Sequence, residues 1–513
     1  MQKRLFLALG LSFLVLFVGQ RLITKPPEQN RASCPLNATR AVPAVLSLGN
    51  TTVPAVPELP VAAEPAVVTE QEYNTEPSLL TFVDQRATIK SAAFKKFHNY
   101  TFSLANGFAI GDYAPFVRQT IDNNRVVYSY ADSKTRISKE FDFSGAAYEI
   151  KLKVSIENIS GQPMKFSFPL ALGTINPNLQ RRGTAVYQDV CVSLPDKIDY
   201  PNYKKEATFS SVNFLSLRDQ YFCAIIEPVA KNYAANFHKI SDKEFGVSLV
   251  SPEFDIPAGQ AVTQEFRVYL GPQDLKVLAA ANNPDWQSVV YFGKMNPLAH
   301  LLLKTLGFFH AVTSNWGFAI IIVSVMIYII LYPLTLKQLR SMKEMQLIQP
   351  KVEELRVKYH DDAMRLQKET MELYKLHKIN PLGGCLPMLL QLPVFFSFYM
   401  VLSRSIELKG AGFLWIKDLS DPDKIFVFQQ NIPFVGNELN LLPILMVIAS
   451  FFQQKLSSGQ MSGQSAEQQK IMMFLFPIMF GVFFYHMPSG LVLYWFTNTI
   501  MTVIQQSVIM RSK

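Results

Sequence analysis

The side chains able to do covalent or metal chemistry are few in this chain, and none sits at a spacing that such chemistry needs. Of seven histidines, His98 and His238 lie far apart in a region of alternating apolar residues, while His360 and His377 stand isolated in a charged stretch. No Cys/His pair has zinc-ligand spacing, no nucleophile-elbow pattern surrounds a serine, and no glycine-rich loop offers a cradle for phosphate. Carboxylates are plentiful but scattered, as on a solvated surface. Four cysteines in so long a chain do not form a disulfide framework. Cys34 lies among prolines without the small apolar neighbours of a lipid-attachment site, and Cys385 lies in an apolar segment. Cys191 and Cys223 share one aqueous region and are either a bridge, if that region is exported, or two buried thiols. The expectation is a non-enzyme that needs no cofactor and no metal.

The composition points to the elements that carry the function instead. Hydrophobic residues make up 49% and charged residues only 17% of 513 positions, and a globular chain is usually about one quarter charged. The apolar excess gathers at the N-terminus and in the C-terminal part, while the middle reads as water-soluble. This argues against wholesale disorder and against a simple soluble enzyme. A membrane-spanning helix needs ~20 apolar residues. Six segments approach that length: residues 5–23, 316–336, 384–402, 439–452, 471–485 and 491–510. The first has the charged start of a signal peptide, but Gly19, Gln20 and Arg21 stand where a cleavage site belongs, so an uncleaved anchor is expected.

Orientation follows from Lys/Arg bias in short loops. The loop after the second span carries Lys337, Arg340, Lys343, Lys351, Arg356, Lys358, Arg365, Lys368, Lys375 and Lys378 and should be cytoplasmic. Both termini are then cytoplasmic and the large middle region is exported. The net charge of +9 is thus partly topological. No basic-aromatic motif accompanies it, so no specific nucleic-acid sequence is expected as a partner.

The expected organisation runs from an anchor (1–23) through a Pro-rich flexible linker (24–80) to an exported all-β domain (81–294). An amphipathic helix (295–314), the second span (315–336), a cytoplasmic helical hairpin (337–382) and four further spans with their loops (383–513) follow. The β reading rests on strict alternation through Tyr148, Ile150, Leu152, Val154 and Ile156, repeated in Lys165–Phe168 and Glu265–Leu270. Leu298, Leu301, Leu302, Leu306 and Phe309 predict a helix that lies in the membrane interface or packs on the β domain. In the hairpin, Met345, Ile348, Val352, Leu355 and Tyr359 form one apolar rhythm, and Ala363, Leu366, Thr370, Leu373 and His377 a second. Asp361 or Asp362 caps the second helix, and Pro350 is expected to redirect the chain. The bland reading is a solvated helix pair. The sharper one is a docking arm that uses Lys351, Arg356, Lys358, Asp361, Asp362 and Arg365.

Four motifs then stand in order. Tyr332-Pro333-Leu334-Thr335 closes the second span, and Asn380-Pro381-Leu382-Gly383-Gly384-Cys385 opens the third, followed by Pro387, Gln391 and Pro393. Gln468-Gln469-Lys470-Ile471-Met472 opens the fifth span, and Pro488-Ser489-Gly490-Leu491-Val492-Leu493-Tyr494-Trp495 joins the fifth and sixth. In this order the set resembles the YidC membrane-protein insertase family, in its Gram-negative form with an extra first span and a large periplasmic domain.

The resemblance implies a five-helix core enclosing a hydrophilic groove that is open to the cytoplasm and lipid and closed to the periplasm. It also implies an exported β-supersandwich related to sugar-binding domains, without implying sugar binding. Its implied partners are nascent membrane proteins, the Sec translocon, the lipid bilayer, and the ribosome or signal-recognition machinery at the hairpin. The implied site is the bacterial inner membrane.

The groove candidates by resemblance are Ser324, Tyr328, Gln391, Tyr494, Thr497 and Asn498. Each has a plain alternative, a polar residue bonding a neighbouring helix, although buried amides such as Gln391 and Asn498 are costly in a span without a purpose. The family usually places an Arg five residues before the proline of Tyr-Pro-Leu-Thr. Here that position is Tyr328, and no basic residue lies between Trp316 and Leu336. Met461, Met472 and Met473 offer flexible thioethers to varied apolar clients, or fill the core. Two other classes stay open. A secondary transporter or channel needs internal repeats and midplane charges, and neither is found. A membrane-anchored periplasmic binding module would lose its function with residues 81–270, whereas an insertase tolerates that loss better than loss of the hairpin.

Overall fold

The computed structural model describes residues 69–511 apart from positions 98, 123, 177–179, 182–183, 186–187, 202–205, 243, 282, 378–385, 433–435 and 458–463. The first span, most of the Pro-rich linker, the Asn380–Cys385 motif, Met461 and the side chain of Met472 lie outside the description. The chain divides into two compact units. The first holds residues up to Ala93 together with Thr101–Asp219 and Ala224–Tyr269, and the second holds Phe94–Tyr100, Gln220–Cys223 and Leu270–Lys513.

The first unit is β-rich. Strands β1 (Glu70–Asn74), β2 (Ser78–Val83), β3 (Thr88–Phe94) and β4 (Tyr100–Gly107) form one four-stranded sheet. Strands β5 (Val117–Asp122), β6 (Arg125–Ala131), β7 (Thr135–Asp142) and β8 (Glu149–Asn158) make one side of a nine-stranded sheet, where β8 also pairs antiparallel with Ala261–Pro272. A further four-stranded sheet is built from Pro169–Ile175, Glu244–Val250, Ala234–Ser241 and Ala207–Phe209.

Period-two alternation explains the packing. Along β8, Ile150, Leu152, Val154 and Ile156 are buried, while the residues between them are not. Phe82 from β2 stacks on Tyr128 of β6 at 5.9 Å and meets Phe141 of β7 edge-on at 5.4 Å, which seats the first sheet on the large one. Cys191 and Cys223 are both buried thiols rather than a bridge.

The β fold starts before residue 81, so the 24–80 linker boundary is corrected at its end. Residues 70–74 and 78–83 pair as a hairpin, and Tyr73 packs against Phe82 and Phe143. Glu70-Gln-Glu72 are polar because they lie on an exposed edge strand, so no apolar alternation marks them.

The second unit is mainly helical: α1 (Leu275–Ala280), α2 (Asn296–Thr313), α3 (Trp316–Lys358), α4 (Ala363–Leu376), α5 (Leu386–Arg404), α6 (Leu441–Ser457), α7 (Gln464–Phe484) and α8 (Ser489–Arg511). Helix α2 buries Ala299, Leu302, Leu303 and Leu306 against α3 and α5, and exposes Leu301, Phe308 and Val312. Leu301 belongs to the open face, where the exposed Lys304 stands between it and Phe308.

Helix α3 is unbroken for 43 residues with Pro333 and Pro350 inside it. Pro350 therefore does not redirect the chain. It is exposed, so the carbonyl one turn earlier can bond water instead of the missing N–H. Among the described residues, Trp316–Leu336 is the stretch long and apolar enough by itself to cross a bilayer, and 441–456 and 473–484 are shorter apolar stretches.

Candidate functional site

Four polar residues inside the helical unit share one face of α8, while Thr497, Thr499 and Gln506 are buried on others. Tyr494, Asn498, Thr502 and Gln505 recur at helical spacing, facing α3 and α5. The Tyr328 hydroxyl of α3 donates to the Gln505 side-chain oxygen and lies 3.3 Å from the Met501 carbonyl. Gln391 Nε2 of α5 donates to the Tyr494 hydroxyl at 3.4 Å. Asn498 Nδ2 donates to the Tyr494 carbonyl at 2.9 Å, and Thr502 Oγ1 donates to the Asn498 carbonyl at 2.8 Å. Tyr494 is held flat by Phe398, whose ring lies 4.2 Å away. This seam joins three helices and contains no ionised group among the described side chains.

The expected set divides accordingly. Tyr328, Gln391, Tyr494 and Asn498 come together. Ser324 and Thr497 do not join them: the Ser324 hydroxyl donates to the Ile320 carbonyl and the Thr497 hydroxyl to the Leu493 carbonyl, and Thr497 lies off the α8 face that carries Tyr494, Asn498, Thr502 and Gln505. Thr502 and Gln505 were missed. Their signal was available, since the Gln505-Gln506 pair interrupts an apolar span as Gln391 and Asn498 do. Gln505 Nε2 is buried without a hydrogen-bond partner among the described residues, so the seam keeps one open donor.

At the far end of the bundle from the α3–α4 turn, the segment between α5 and α6 closes over the helix ends. Lys409 pairs with Asp418 at 2.9 Å and Asp421 at 3.2 Å. The first residues of α8 are held there, because Ser489 N–H donates to the Asp421 carbonyl and Gly490 N–H to the Leu419 carbonyl, both at 2.9 Å. Gly490 eases that approach, since a Cβ would stand 3.1 Å from the Leu419 oxygen. Asp423 is buried and one of its oxygens accepts from Leu441 N–H and Leu442 N–H at 2.9 Å and from Trp415 Nε1–H at 3.1 Å. It caps α6 from a distance. Asp423→Ala should lower stability by about 2 kcal/mol, the loss of a cap plus orphaned donors. Thermal unfolding and amide exchange at the start of α6 measure this, and an unchanged midpoint would contradict it.

The hairpin of α3 and α4 has the expected antiparallel form: Lys351 Nζ and His377 Nε2 lie 3.4 Å apart across it. Asp362 is the cap, accepting from Arg365 N–H at 3.0 Å. Asp361 instead meets His360 at 2.9 Å. Lys358 and Arg365 lie over the Tyr359 ring, and Arg356 pairs with Glu353 at 3.4 Å. Lys351, Lys358, Asp361, Asp362 and Arg365 are solvated, while Arg356 is partly covered. Ile348 and Val352 are buried as the rhythm predicts, but Leu347, Val357, Met364 and Leu376 stand exposed beside the charges.

An apolar helical bundle with an uncharged polar seam, in one chain with a β-rich domain, defines an α-helical membrane protein with a large aqueous domain. Two family models match consecutive parts of the chain: the YidC periplasmic domain over residues 93–305 and the 60Kd inner membrane protein over residues 308–513. The membrane protein insertase YidC of Pelobacter propionicus is 32% identical over 548 aligned positions, covering 99% of both chains. That of Geobacter sulfurreducens is 34% identical and covers 84% of both. Among solved structures, an active YidC insertase crystal structure with its first transmembrane domain resolved aligns with 87% of this chain and 96% of that one, at 19% identity and a TM-score of 0.41. The chain belongs to the YidC membrane protein insertase family.

Proposed function

We propose that this chain guides nascent inner-membrane proteins into the bilayer along the polar seam of α3, α5 and α8, alone or beside the Sec translocon, with the hairpin receiving clients or the ribosome at the cytoplasmic side. Six spans, cytoplasmic termini and an exported β domain complete the reading. The physical need is plain: an unpaired amide or charge costs several kcal/mol in hydrocarbon, roughly 2–7 for a neutral polar group. Side-chain hydroxyls and amides that can exchange partners lower that barrier, while the client's apolar helix stays in lipid and leaves sideways. Partitioning drives the process, so no nucleotide is required.

The observation that carries this reading is the clustering of Tyr328, Gln391, Tyr494, Asn498, Thr502 and Gln505 with a donor left open. A photoreactive phenylalanine at position 328 should crosslink to a stalled nascent membrane protein during translation. Adducts confined to a lipid-facing control at Phe452, with none at 328, would sink the proposal.

A further inference from the structure

The segment between α5 and α6 turns Lys409, Asp418 and Asp423 inward onto partners and shows apolar side chains outwardly. Leu414 is 74% exposed and adopts a left-handed φ of 52°, at the tip of a turn closed by the mutual pairing of Phe413 and Ile416. A β-branch-free but bulky residue seldom occupies that region, and an outlier with its side chain in the open directs attention to function. Beyond it, Phe426–Ile432 pairs with Gly436–Leu439 as a two-stranded ribbon, on which Phe426, Val427 and Phe428 are 63%, 65% and 38% exposed. A ribbon has both faces open, so consecutive apolar residues are uncovered together, and such patches mark interaction surfaces.

We infer that Leu414 and the Phe426–Phe428 strand insert among the acyl chains of the leaflet opposite the α3–α4 turn, making this segment a bilayer-interface anchor. The inference rests on the reading that α5 and α6 span the membrane. Continuity argues for lipid as the occupant. The ribbon ends at Leu439, and α6 begins at Leu441 with Ile444, Ile448 and Phe452 exposed at a spacing of one turn, the stripe that faces hydrocarbon in a span. The base of the ribbon is pinned to that level: Lys424 N–H donates to Asn440 Oδ1 at 2.9 Å, and the Tyr485 hydroxyl at the end of α7 donates to the Glu438 carbonyl at 2.9 Å. Trp415, half-buried with its indole N–H on Asp423, has the amphipathic form favoured at headgroup depth. Lys417 is exposed near the turn, where an ammonium can meet a lipid phosphate.

The test is nitroxide accessibility in the full chain, reconstituted in phospholipid nanodiscs, with native cysteines changed to alanine and single labels at Leu414→Cys and Val427→Cys. Controls are labels at Ile448→Cys on α6 and Lys197→Cys in the β-rich unit. Dissolved oxygen should relax the 414 and 427 labels as strongly as the 448 label, and a water-soluble nickel chelate should relax them several-fold less than the 197 label. Chelate access equal to that at 197 while 448 stays in lipid would overturn the inference. So would shielding from both reagents, the outcome if residues 5–23 or a second copy covered the surface. An aqueous signal at 448 would instead refute the spanning reading beneath it.

Discussion

Tyr328→Arg should shift client preference toward acidic translocated segments by at least roughly tenfold. The native seam offers a hydroxyl, amides and carbonyls but no charge, so an aspartate and an asparagine in the client tail should be handled alike. A guanidinium at 328 would find the Met501 carbonyl and the Gln505 side-chain oxygen as acceptors in the native partners' positions, which offsets part of the ~2.5–3.5 kcal/mol cost of a centred Arg. A carboxylate about 4 Å away gains on the order of 4 kcal/mol at an effective dielectric of 20. Desolvation takes back a share of this, leaving roughly the tenfold effect. Insertion rates for paired Asp and Asn clients in proteoliposomes measure it. An unchanged ratio, or a native chain that already favours Asp, would show that the seam does not read client charge. Tyr328→Phe separates the two roles, removing the contact to Gln505 without adding charge.

Lys139 should make the β-rich unit more stable at pH 9 than at pH 7. This lysine of β7 is fully buried, donates to the Ala87 and Phe108 carbonyls, and lies 5.9 Å and 5.2 Å from the Phe116 and Phe141 ring centres. Burial pushes its ammonium down to about 7. The unfolded chain keeps the proton up to about 10.4, so between those values unfolding takes up a proton. Stability therefore rises with pH across that window, by at most on the order of 1.4 kcal/mol per unit, and is flat below it. Lys139→Met removes this slope and leaves the two carbonyls without the amine, at about 1–3 kcal/mol each if they stay buried. The variant should thus be less stable than the native chain at pH 9, with the gap narrowing toward pH 7. Exchange of the β7 and β8 amides in the full chain, corrected for intrinsic rates, reads both profiles. Parallel profiles would mean that Lys139 does not titrate in this window.

Where burial and periodicity agree, the fold was legible. The alternation through Ile150, Leu152, Val154 and Ile156 became β8, with Tyr148 just outside it, and the restart after Asp361-Asp362 became α4 with Asp362 as its cap. The hidden parts have physical causes. Edge strand β1 shows no apolar alternation because its side chains, Tyr73 apart, are exposed. Pro350 ends a helix only where the orphaned carbonyl cannot reach water, and here it can. In the seam, residue type alone could not separate Thr497 from Thr502, since both hydroxyls bond their own helix. What distinguishes them is which face of α8 turns toward Tyr328. Gln505 needed no structure to be noticed, only the rule already applied to Gln391. The exposed Leu414 and Phe426–Phe428 were not legible, because an apolar residue in a loop reads the same whether it is covered or bare.

Helix α3 carries the last consequence. Its 43 residues extend for roughly 65 Å at ~1.5 Å per residue, about twice the thickness of a hydrocarbon layer. Tyr328 and the turn at Tyr359 therefore lie on one continuous helix, with Pro333 and Pro350 between them. A load on the distal tip would reach the Tyr328–Gln505 contact through this one helix, less whatever the two prolines absorb.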